Sequence, residues 1–226
     1  MNCLWCHDEM IIEIDWKNLF IPPQPSALCV RCAKGLDELT GNRCQKCSRI
    51  TDDKVCKDCL WWEEYSRQDD PIDFNYSVFT YNNMMKAIIA KWKYRGDYQL
   101  GYVFQKPFTE HFRKVFTTKK GAIVVPIPLS EERINERCFN QAMMLASFLP
   151  FEMVELLSRI HGEKQSKKSR YERLSTQNPF IIKESVNKPV ILVDDIYTTG
   201  TTLRHAAELL KKNGCPIIYT YTLVRG

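Results

Sequence analysis

Apolar positions along residues 76–226 alternate between two spacings, and this alternation predicts the fold. Short apolar runs that stop at turn-forming residues indicate strands, whereas apolar residues three and four positions apart indicate amphipathic helices. The predicted strands are Tyr76–Tyr81, Ala122–Val125, Met153–Leu157, Val190–Asp194 and Ile217–Leu223. The predicted helices are Asn83–Lys93, a stretch from Leu100 to Phe116 that Pro107 could kink, Glu131–Leu149, and Thr201–Lys212.

Strands that alternate with helices predict an α/β fold, in which helices cover both faces of a parallel sheet. Ligands of such folds bind at the carboxyl ends of the strands. The N-terminal part of the chain has few apolar residues of its own, and an aromatic and acidic stretch follows it. We therefore expect a small domain at residues 1–62, a linker at 63–75 and the α/β domain at 76–226.

Eight of the ten cysteines form four pairs, each with two residues between its members. This spacing lets both thiolates of one turn point at the same metal ion, and two such turns complete a tetrahedral zinc site. The predicted zinc ligands are Cys3, Cys6, Cys29, Cys32, Cys44, Cys47, Cys56 and Cys59. Taken in sequential sets of four they hold two zinc ions, although the spacing also allows an interleaved arrangement. This zinc-ribbon-like domain would be structural, because protein fills all four positions of each site.

Disulfides and redox pairs are the alternatives to zinc for this cysteine spacing. Disulfides are unfavourable in a cytosolic chain, and a redox pair would normally accompany a βαβ unit, which the first 62 residues do not contain in readable form. The expectation of a cytoplasmic chain comes from its first seven residues and its hydropathy. Residues 1–7 lack a secretory signal pattern, and no stretch approaches the ~18 apolar residues that span a bilayer.

The net charge of +5 is unevenly distributed along the chain. Residues 1–80 carry 9 Lys/Arg against 14 Asp/Glu, whereas residues 81–226 carry 23 against 13. Basic side chains concentrate within residues 86–120 and 159–173, where they would attract phosphates of a small ligand or of nucleic acid. A solvated basic face explains the composition equally well.

The segment 190–203 combines a buried strand, an acidic pair, a polar turn and the start of a helix. Two carboxylates after the strand can accept hydrogen bonds from two ribose hydroxyls. The turn offers hydroxyls and consecutive N–H groups at a helix N-terminus, where an anion is favoured, and its glycine permits close backbone approach. The sequence therefore predicts a site for a ribose phosphate. Its predicted residues are Asp194, Asp195, Thr198, Thr199, Gly200, Thr201 and Thr202.

Other interpretations of this segment are weaker. A threonine-capped helix after an acidic strand end can be purely structural. Capping alone, however, does not require two adjacent carboxylates and four threonines around one glycine. The chain lacks both the triphosphate-binding and the dinucleotide-binding glycine loops, and no Ser-His-Asp or Cys-His pairing indicates a nucleophile.

This segment resembles the phosphoribosyl pyrophosphate loop of the type I phosphoribosyltransferases. Three further stretches, together with the cysteine pairs, make nearly the whole chain similar to the ComF family of late competence proteins. They are Lys-Trp-Lys-Tyr-Arg-Gly-Asp at 91–97, Val-Pro-Ile-Pro at 125–128 with Glu-Arg-Cys-Phe-Asn-Gln at 136–141, and Ser-Arg-Tyr-Glu-Arg-Leu at 169–174 leading to Asn-Pro-Phe at 178–180. The family usually has glycine where this chain has Cys138.

The resemblance implies a phosphoribosyltransferase-type sheet and phosphoribosyl pyrophosphate, accompanied by Mg²⁺, at the predicted ribose-phosphate site. It also implies a pyrophosphate-binding side and a basic loop that would meet pyrophosphate, DNA phosphates or only solvent. The residues of the pyrophosphate side are Val125, Pro126, Ile127, Pro128, Arg137, Asn140 and Gln141. Those of the basic loop are Lys164, Lys167, Lys168, Arg170 and Arg173.

Two functions follow from these observations. The first, implied by the resemblance, is to handle single-stranded DNA during natural transformation, with an ATP-driven translocase as partner and recruitment to the inner face of the membrane. Bases would stack on aromatic residues such as Trp61, Trp62 and Tyr94, whereas Trp92 is expected in the core. The second is an enzyme that transfers phosphoribose from its pyrophosphate to an unknown acceptor, for which no site is readable.

Overall fold

The structure is a computed structural model that describes residues 1–11, 16, 20, 26–66, 69–160 and 178–226. The strands within these ranges are β1 (Asn75–Thr80), β2 (Ile123–Pro126), β3 (Leu157–Arg159), β4 (Phe180–Ile182), β5 (Val190–Tyr197) and β6 (Ile218–Arg225). The helices are α1 (Val30–Ala33), α2 (Lys57–Tyr65), α3 (Asn83–Tyr94), α4 (Gln105–Phe116), α5 (Glu131–Arg137), α6 (Gln141–Ser147) and α7 (Thr201–Lys212), with a 3₁₀ helix at Tyr98–Val103.

Four of these strands form one parallel sheet in the order β1-β6-β5-β2. This confirms the predicted α/β fold. Strands β3 and β4 form a separate antiparallel pair. No helix within the described ranges is both long enough and apolar enough to cross a membrane.

Alternate residues of the central strands contribute to two apolar cores, one on each face of the sheet. Val124, Ile191 and Val193 pack with α3 and α4 on one face. Val125 and Leu192 pack with α7 on the other. The paired cysteines also divide between the two cores. Those within residues 3–32 join the core that contains α3 and α4, and those within residues 44–59 join the core that contains α7. The N-terminal region therefore contributes to both cores.

The prediction of one helix over Glu131–Leu149 is wrong, because the chain turns between α5 and α6. Cys138 adopts φ +66°, a left-handed conformation that ends α5 and that glycine, the usual residue of the family here, adopts without strain. The Asn140 side chain then caps α6 by accepting hydrogen bonds from the Ala142 and Met143 amides at 2.9 and 3.4 Å. The break turns Arg137 into the sheet's carboxyl edge.

Three other element predictions need correction. The helix predicted from Leu100 to Phe116 divides at Phe104 into the 3₁₀ helix and α4, and Pro107 lies in the first turn of α4, where a missing N–H costs no helical bond. Met153 makes only a single parallel bridge to Val124, and β3 begins at Leu157 outside the main sheet. Strand β5 continues three residues beyond Asp194, because its pairing with β6 extends to Tyr197 and Arg225.

The segment predicted as a linker makes specific contacts. Helix α2 extends to Tyr65. Ile72 is buried, and the Asp73 amide donates to the Ile218 carbonyl at 2.8 Å. The domain boundaries at 62 and 76 stay predictions, but the residues around them pack against the sheet.

Candidate functional site

A cavity of about 460 Å³ opens at the carboxyl end of the parallel sheet, between β5, the start of α7 and helices α3 and α5. The acid pair and the turn from Thr198 to Thr202 line it. All seven residues predicted for the ribose-phosphate site therefore surround one space. The basic residues of the lining are Lys93, Arg133, Arg137 and Arg159.

The acid pair is largely removed from water. Asp195 is buried and forms an ion pair with Lys93. The Asp194 carboxylate accepts a hydrogen bond from the Asp195 amide at 2.9 Å. Burial, and then the charge of Asp195, raise the pKa of Asp194 to about 7. The cavity thus holds one paired carboxylate and one carboxyl group that titrates near neutrality.

The turn after β5 is shaped by Gly200, which has φ +78° and caps the N-terminus of α7. A Cβ here would overlap the Tyr197 hydroxyl and the Arg204 guanidinium, so only glycine fits. Gly200 provides no side-chain cap, and the Thr201 amide donates a long hydrogen bond of 3.5 Å to the Thr199 hydroxyl. The amides at the start of this twelve-residue helix are therefore available to an anion.

The residues predicted for the pyrophosphate side separate into three groups. Ile127 and Arg137 line the cavity. Val125 is buried within β2. The others are Pro126, which ends β2, Pro128 and Asn140, which line an adjoining groove, and Gln141, which is buried beside Arg137.

Asn140 and Gln141 have structural partners. Asn140 caps α6 and donates to the Ile127 carbonyl at 3.0 Å. Gln141 accepts a hydrogen bond from Arg137 Nη1 at 3.1 Å. Arg137 is itself buried, and its Nε has no hydrogen-bond partner among the described residues. Gln141 therefore helps to orient Arg137, and Asn140 fixes the start of α6.

The sequence did not single out Lys93 and Arg159 as site residues. Lys93 belongs to the stretch 91–97 that carries the family resemblance, and this was the available signal. Burial and the charge of Arg133 lower the pKa of Arg159, which lines the same cavity. Arg159 begins the basic stretch 159–173, but composition alone does not indicate which of these residues lines the cavity.

Three further residues hold the turn through its backbone and do not line the cavity. The Trp62 indole donates to the Thr199 carbonyl at 3.0 Å. Arg204 donates to the Tyr197 hydroxyl at 2.9 Å and pairs with Asp70 at 2.7 Å. Arg225 donates to the carbonyls of Tyr197 and Thr198 at 3.1 and 3.0 Å. Residues from both ends of the chain therefore support this turn.

The predicted base-stacking role does not fit all the tryptophans. Trp92 is fully buried, as expected, and Trp62 is 6% exposed. Neither ring is free to stack on a base. Tyr94, by contrast, is 69% exposed and lines the cavity. The predicted basic loop, with Lys164, Lys167, Lys168, Arg170 and Arg173, lies outside the described residues.

The eight paired cysteines form two clusters in sequential order, which excludes the interleaved arrangement. The first cluster is Cys3, Cys6, Cys29 and Cys32, and the second is Cys44, Cys47, Cys56 and Cys59. Within each cluster all four sulfurs lie within 4.8 Å of one another, and all eight thiols are free.

The sulfur geometry of both clusters fits a tetrahedral four-thiolate metal site. Cys6 and Cys29 have their sulfurs 3.8 Å apart, and those of Cys47 and Cys56 are 3.6 Å apart. Four Zn–S bonds of about 2.3 Å in a tetrahedron place the sulfurs about 3.8 Å apart. A disulfide would require about 2.05 Å. Hydrogen bonds from Cys47 and Cys59 lower the pKa of Cys44, and the same contacts raise the pKa of the other two thiols.

Comparison with known proteins agrees with this architecture. The family model of the phosphoribosyl transferase domain matches residues 134–226. Competence protein ComFC of Bacillus subtilis (strain 168) is 39% identical over 229 residues, covering 99% of this chain and 94% of that protein. Competence protein ComFC of Streptococcus pneumoniae is 34% identical over 229 residues and 100% of both chains.

A more distant relative is DNA utilization protein YhgH of Escherichia coli O157:H7. It is 23% identical over 219 residues, which cover 88% of this chain and 96% of that protein. Two relatives above 30% identity, matched over nearly their whole length, carry the assignment. The chain belongs to the ComFC family of competence proteins.

Proposed function

We propose that this chain handles single-stranded DNA during natural transformation and binds phosphoribosyl pyrophosphate in the cavity at the carboxyl end of its sheet. The observation that carries the ligand assignment is the convergence of the acid pair and the Thr198–Thr202 turn on one cavity, at an uncapped helix N-terminus. The DNA assignment is supported by relatives named for competence and for DNA utilization.

Each part of the cavity has a role in holding this ligand. Asp194 and Asp195 accept hydrogen bonds from the two ribose hydroxyls. The backbone amides of the turn and the dipole of α7 hold the 5-phosphate. The basic side of the cavity, which includes Arg133, Arg137 and Arg159, faces the pyrophosphate.

Mg²⁺ would accompany the pyrophosphate and neutralise part of its charge. The carboxylate oxygens that line the cavity are ligands of the type that Mg²⁺ prefers. Zn²⁺ would occupy each cysteine cluster in a structural role, and metal analysis of the purified chain should give about two zinc ions. A value near one would leave one cluster without a metal.

The surface beside the cavity supports a path for DNA bases. Tyr94, Tyr98 and Tyr102 are 69%, 42% and 39% exposed. Tyr98 and Phe139 line a groove of about 690 Å³ that shares Leu129 and Arg159 with the cavity. Exposed aromatic faces next to a basic pocket are typical of surfaces that bind single strands. A strand with one phosphate in the cavity would therefore place neighbouring bases on these tyrosines.

A competition experiment tests this proposal. A fluorescent single-stranded oligonucleotide is bound to the zinc-loaded chain, and phosphoribosyl pyrophosphate with Mg²⁺ is added. Pyrophosphate with Mg²⁺ at the same ionic strength is the control, because binding through phosphates is sensitive to salt. We expect phosphoribosyl pyrophosphate to displace the DNA at lower concentration than the control. Simultaneous binding of both ligands would contradict a shared site.

An abasic oligonucleotide of the same length tests the base path separately. Stacking contributes about 1–3 kcal/mol per base, so the abasic strand should bind at least about fivefold more weakly. The variant Tyr98→Leu keeps an apolar side chain and should reduce this difference. Equal binding of both strands by the unmodified chain would contradict stacking and leave only phosphate contacts.

A second candidate function is transfer of phosphoribose to an acceptor. The observation that favours it is the pKa of Asp194, about 7, since general acid–base groups work best when their pKa is near the working pH. Pyrophosphate release in the presence of nucleobase and amine acceptors measures this activity. Asp194→Asn should lower the rate at least about 100-fold. Ligand binding without release for any acceptor would exclude turnover with those acceptors.

The proposal includes the ATP-driven translocase of the uptake system as a partner at the inner face of the membrane. A purified translocase should retain the chain on an affinity column. Retention that requires single-stranded DNA would indicate that DNA bridges the two proteins, whereas retention without DNA would indicate direct contact. No retention in either condition would contradict this part of the proposal.

A further inference from the structure

The backbone of the Thr198–Thr202 turn is held by groups that belong to the second cysteine cluster or touch it. Trp62 lies one helical turn after Cys59 on α2 and donates to the Thr199 carbonyl at 3.0 Å. Arg225 donates from Nη1 to the Tyr197 and Thr198 carbonyls and from Nη2 to Cys47 Sγ at 3.6 Å. One guanidinium therefore connects a cluster sulfur with the turn.

A buried ion pair adds a second connection between the N-terminal region and the turn. Arg204 and Asp70 pair at 2.7 Å, with side chains only 5% and 7% exposed. The Arg204 guanidinium also lies 4.2 Å from the centre of the Trp62 ring and donates to the Thr199 carbonyl at 3.4 Å. The Trp62 side chain is thereby fixed between Arg204 and the turn.

These contacts set the direction of the amides on the turn. The peptide unit is planar, and in the trans form its C=O and N–H point in opposite directions. The described residues contain no cis peptide. Donors that fix the carbonyls of Tyr197, Thr198 and Thr199 therefore also fix the N–H groups of Thr198, Thr199 and Gly200. An oriented row of amides is what a phosphate requires.

We infer that Trp62 and Arg225 are positioning residues for the phosphate-binding turn, and that metal bound to the second cysteine cluster sets the affinity of the cavity for a sugar phosphate. This rests on the proposed function, because it concerns the same cavity. A zinc ion with four thiolates carries a net charge of −2, which the Arg225 guanidinium partly balances. When the metal is lost the four thiolates take up protons, which removes this charge together with the rigid frame that holds Cys47 and α2.

The first cysteine cluster offers a matched control because it makes different contacts. Gly35, just after it, lies against Met84 of α3, and Asn82 donates to the Gly35 carbonyl at 2.9 Å. Trp5 lies 5.9 Å from the Lys91 ammonium. None of the described residues of this cluster lines the cavity. Metal loss here should leave the turn unchanged.

The experiment compares single substitutions in the zinc-loaded full chain by calorimetric titration with phosphoribosyl pyrophosphate and Mg²⁺. Trp62→Phe keeps an aromatic ring and removes the N–H donor. Arg225→Lys keeps the positive charge and removes the guanidinium, whose two terminal nitrogens contact the turn and Cys47. Each should weaken binding about three- to tenfold, the value of one hydrogen bond. The control Trp5→Phe should change affinity less than about twofold.

Substitution of one metal ligand in each cluster extends the test. Cys47→Ser should lower zinc content and weaken binding at least about tenfold, whereas Cys6→Ser should lower zinc content with little change in affinity. If Cys47→Ser does not fold, Trp62→Phe and Arg225→Lys still decide the question. Unchanged affinity in these two folded variants would overturn the inference while the proposed ligand stands.

A measurement without ligand distinguishes failure of the positioning role from failure of the proposed ligand. Backbone ¹⁵N order parameters of Thr198, Thr199 and Gly200 should fall in Trp62→Phe from values near those of a rigid backbone, about 0.85, and stay unchanged in Trp5→Phe. If the unmodified chain binds no sugar phosphate but this difference is present, the proposed ligand is wrong and the positioning role is right. If the order parameters do not differ, the positioning role is wrong.

Discussion

The two cysteine clusters have the same ligands and nearly the same local turns, but they support different parts of the molecule. In both, the first pair lies on a turn in which a residue with positive φ follows the second cysteine, namely His7 and Ser48. In both, the second pair begins a helix. The first helix has four residues and the second has nine, and the longer one brings Trp62 to the Thr198–Thr202 turn.

The two clusters also differ in the burial of their cysteines and in the core that each one joins. All four cysteines of the second cluster are buried, whereas Cys6 and Cys29 of the first are only half-buried. The second cluster joins the core on the α7 side of the sheet, and the first joins the core on the α3 side. Two clusters with the same ligands therefore support different parts of one fold.

The largest expected difference is in stability after loss of a metal ligand. Cys59→Ser should lower the free energy of unfolding by more than about 4 kcal/mol, because it removes a metal from inside the core that contains the sheet. Cys29→Ser should cost about 2 kcal/mol, since its cluster is more exposed. Chemical denaturation with zinc present measures both. Equal losses would contradict the structural distinction between the clusters.

A substitution in the turn tests whether its shape is critical for binding. Gly200→Ala should weaken phosphoribosyl pyrophosphate binding at least about tenfold, because the added methyl group displaces Tyr197 and Arg204. Gly121→Ala is the control, since Gly121 has the same φ of +78° and open space around it. Backbone strain should cost each variant about 1 kcal/mol of stability, and the overlap with Tyr197 and Arg204 should make the loss larger in Gly200→Ala. Comparable loss of affinity in both would show that strain alone is responsible.

The buried acid pair should lower the stability of the folded state, and this loss should depend on pH. The pKa of Asp194 rises from 3.8 to about 7 on folding, so between these values the folded state holds a proton that the unfolded state has released. Stability therefore falls as pH rises toward about 7 and then levels off. The substitution Asp194→Asn removes this pH dependence of stability.

Asp194→Asn should raise the free energy of unfolding by about 1–3 kcal/mol at pH 8, and by about 1 kcal/mol less at pH 6. Urea denaturation at the two pH values measures this change. Asp8→Asn beside the first cluster is the control, because its ion pair with Arg31 is exposed and should contribute less than about 1 kcal/mol. A destabilised Asp194→Asn at pH 8 would contradict the raised pKa.

The smallest expected change in stability concerns His7 and Ser48, which have positive φ beside the first and the second cluster. His7 is exposed, so His7→Gly should stabilise the chain by about 0.5–1 kcal/mol through relief of backbone strain. Ser48 is buried, donates to the Asn75 carbonyl at 2.8 Å and accepts from the Ser77 amide at 3.2 Å. Ser48→Gly should therefore destabilise by about 1 kcal/mol. Effects of the same sign in thermal denaturation would contradict this contrast.

The sequence predicted those features that depend on local pattern. The periodicity of residues 201–212 predicted α7 with its observed bounds, and cysteine spacing predicted both clusters. The acidic pair and the threonine turn predicted a group of residues that the structure brings to one cavity. Each of these signals lies within a few consecutive residues or repeats at a fixed spacing.

Features that depend on contacts between distant segments could not be predicted. Arg159 and Lys93 reach the cavity only because α3 and β3 end near β5. The Trp62 contact joins residues 137 positions apart, and an aromatic residue in an acidic stretch gives no sign of it. The turn at Cys138 was missed because the apolar pattern continues through it; the available signal was the glycine that the family usually has at this position.

The central claim, that the acid pair and the adjoining turn hold a sugar phosphate, is tested most directly by following backbone amide signals in solution. Zinc-loaded ¹⁵N-labelled chain is titrated with phosphoribosyl pyrophosphate and Mg²⁺. The account predicts saturable shifts for the amides of residues 194–202, with the amides of residues 3–8 in the first cluster unchanged. Saturating ligand that leaves the 194–202 signals in place would contradict the claim.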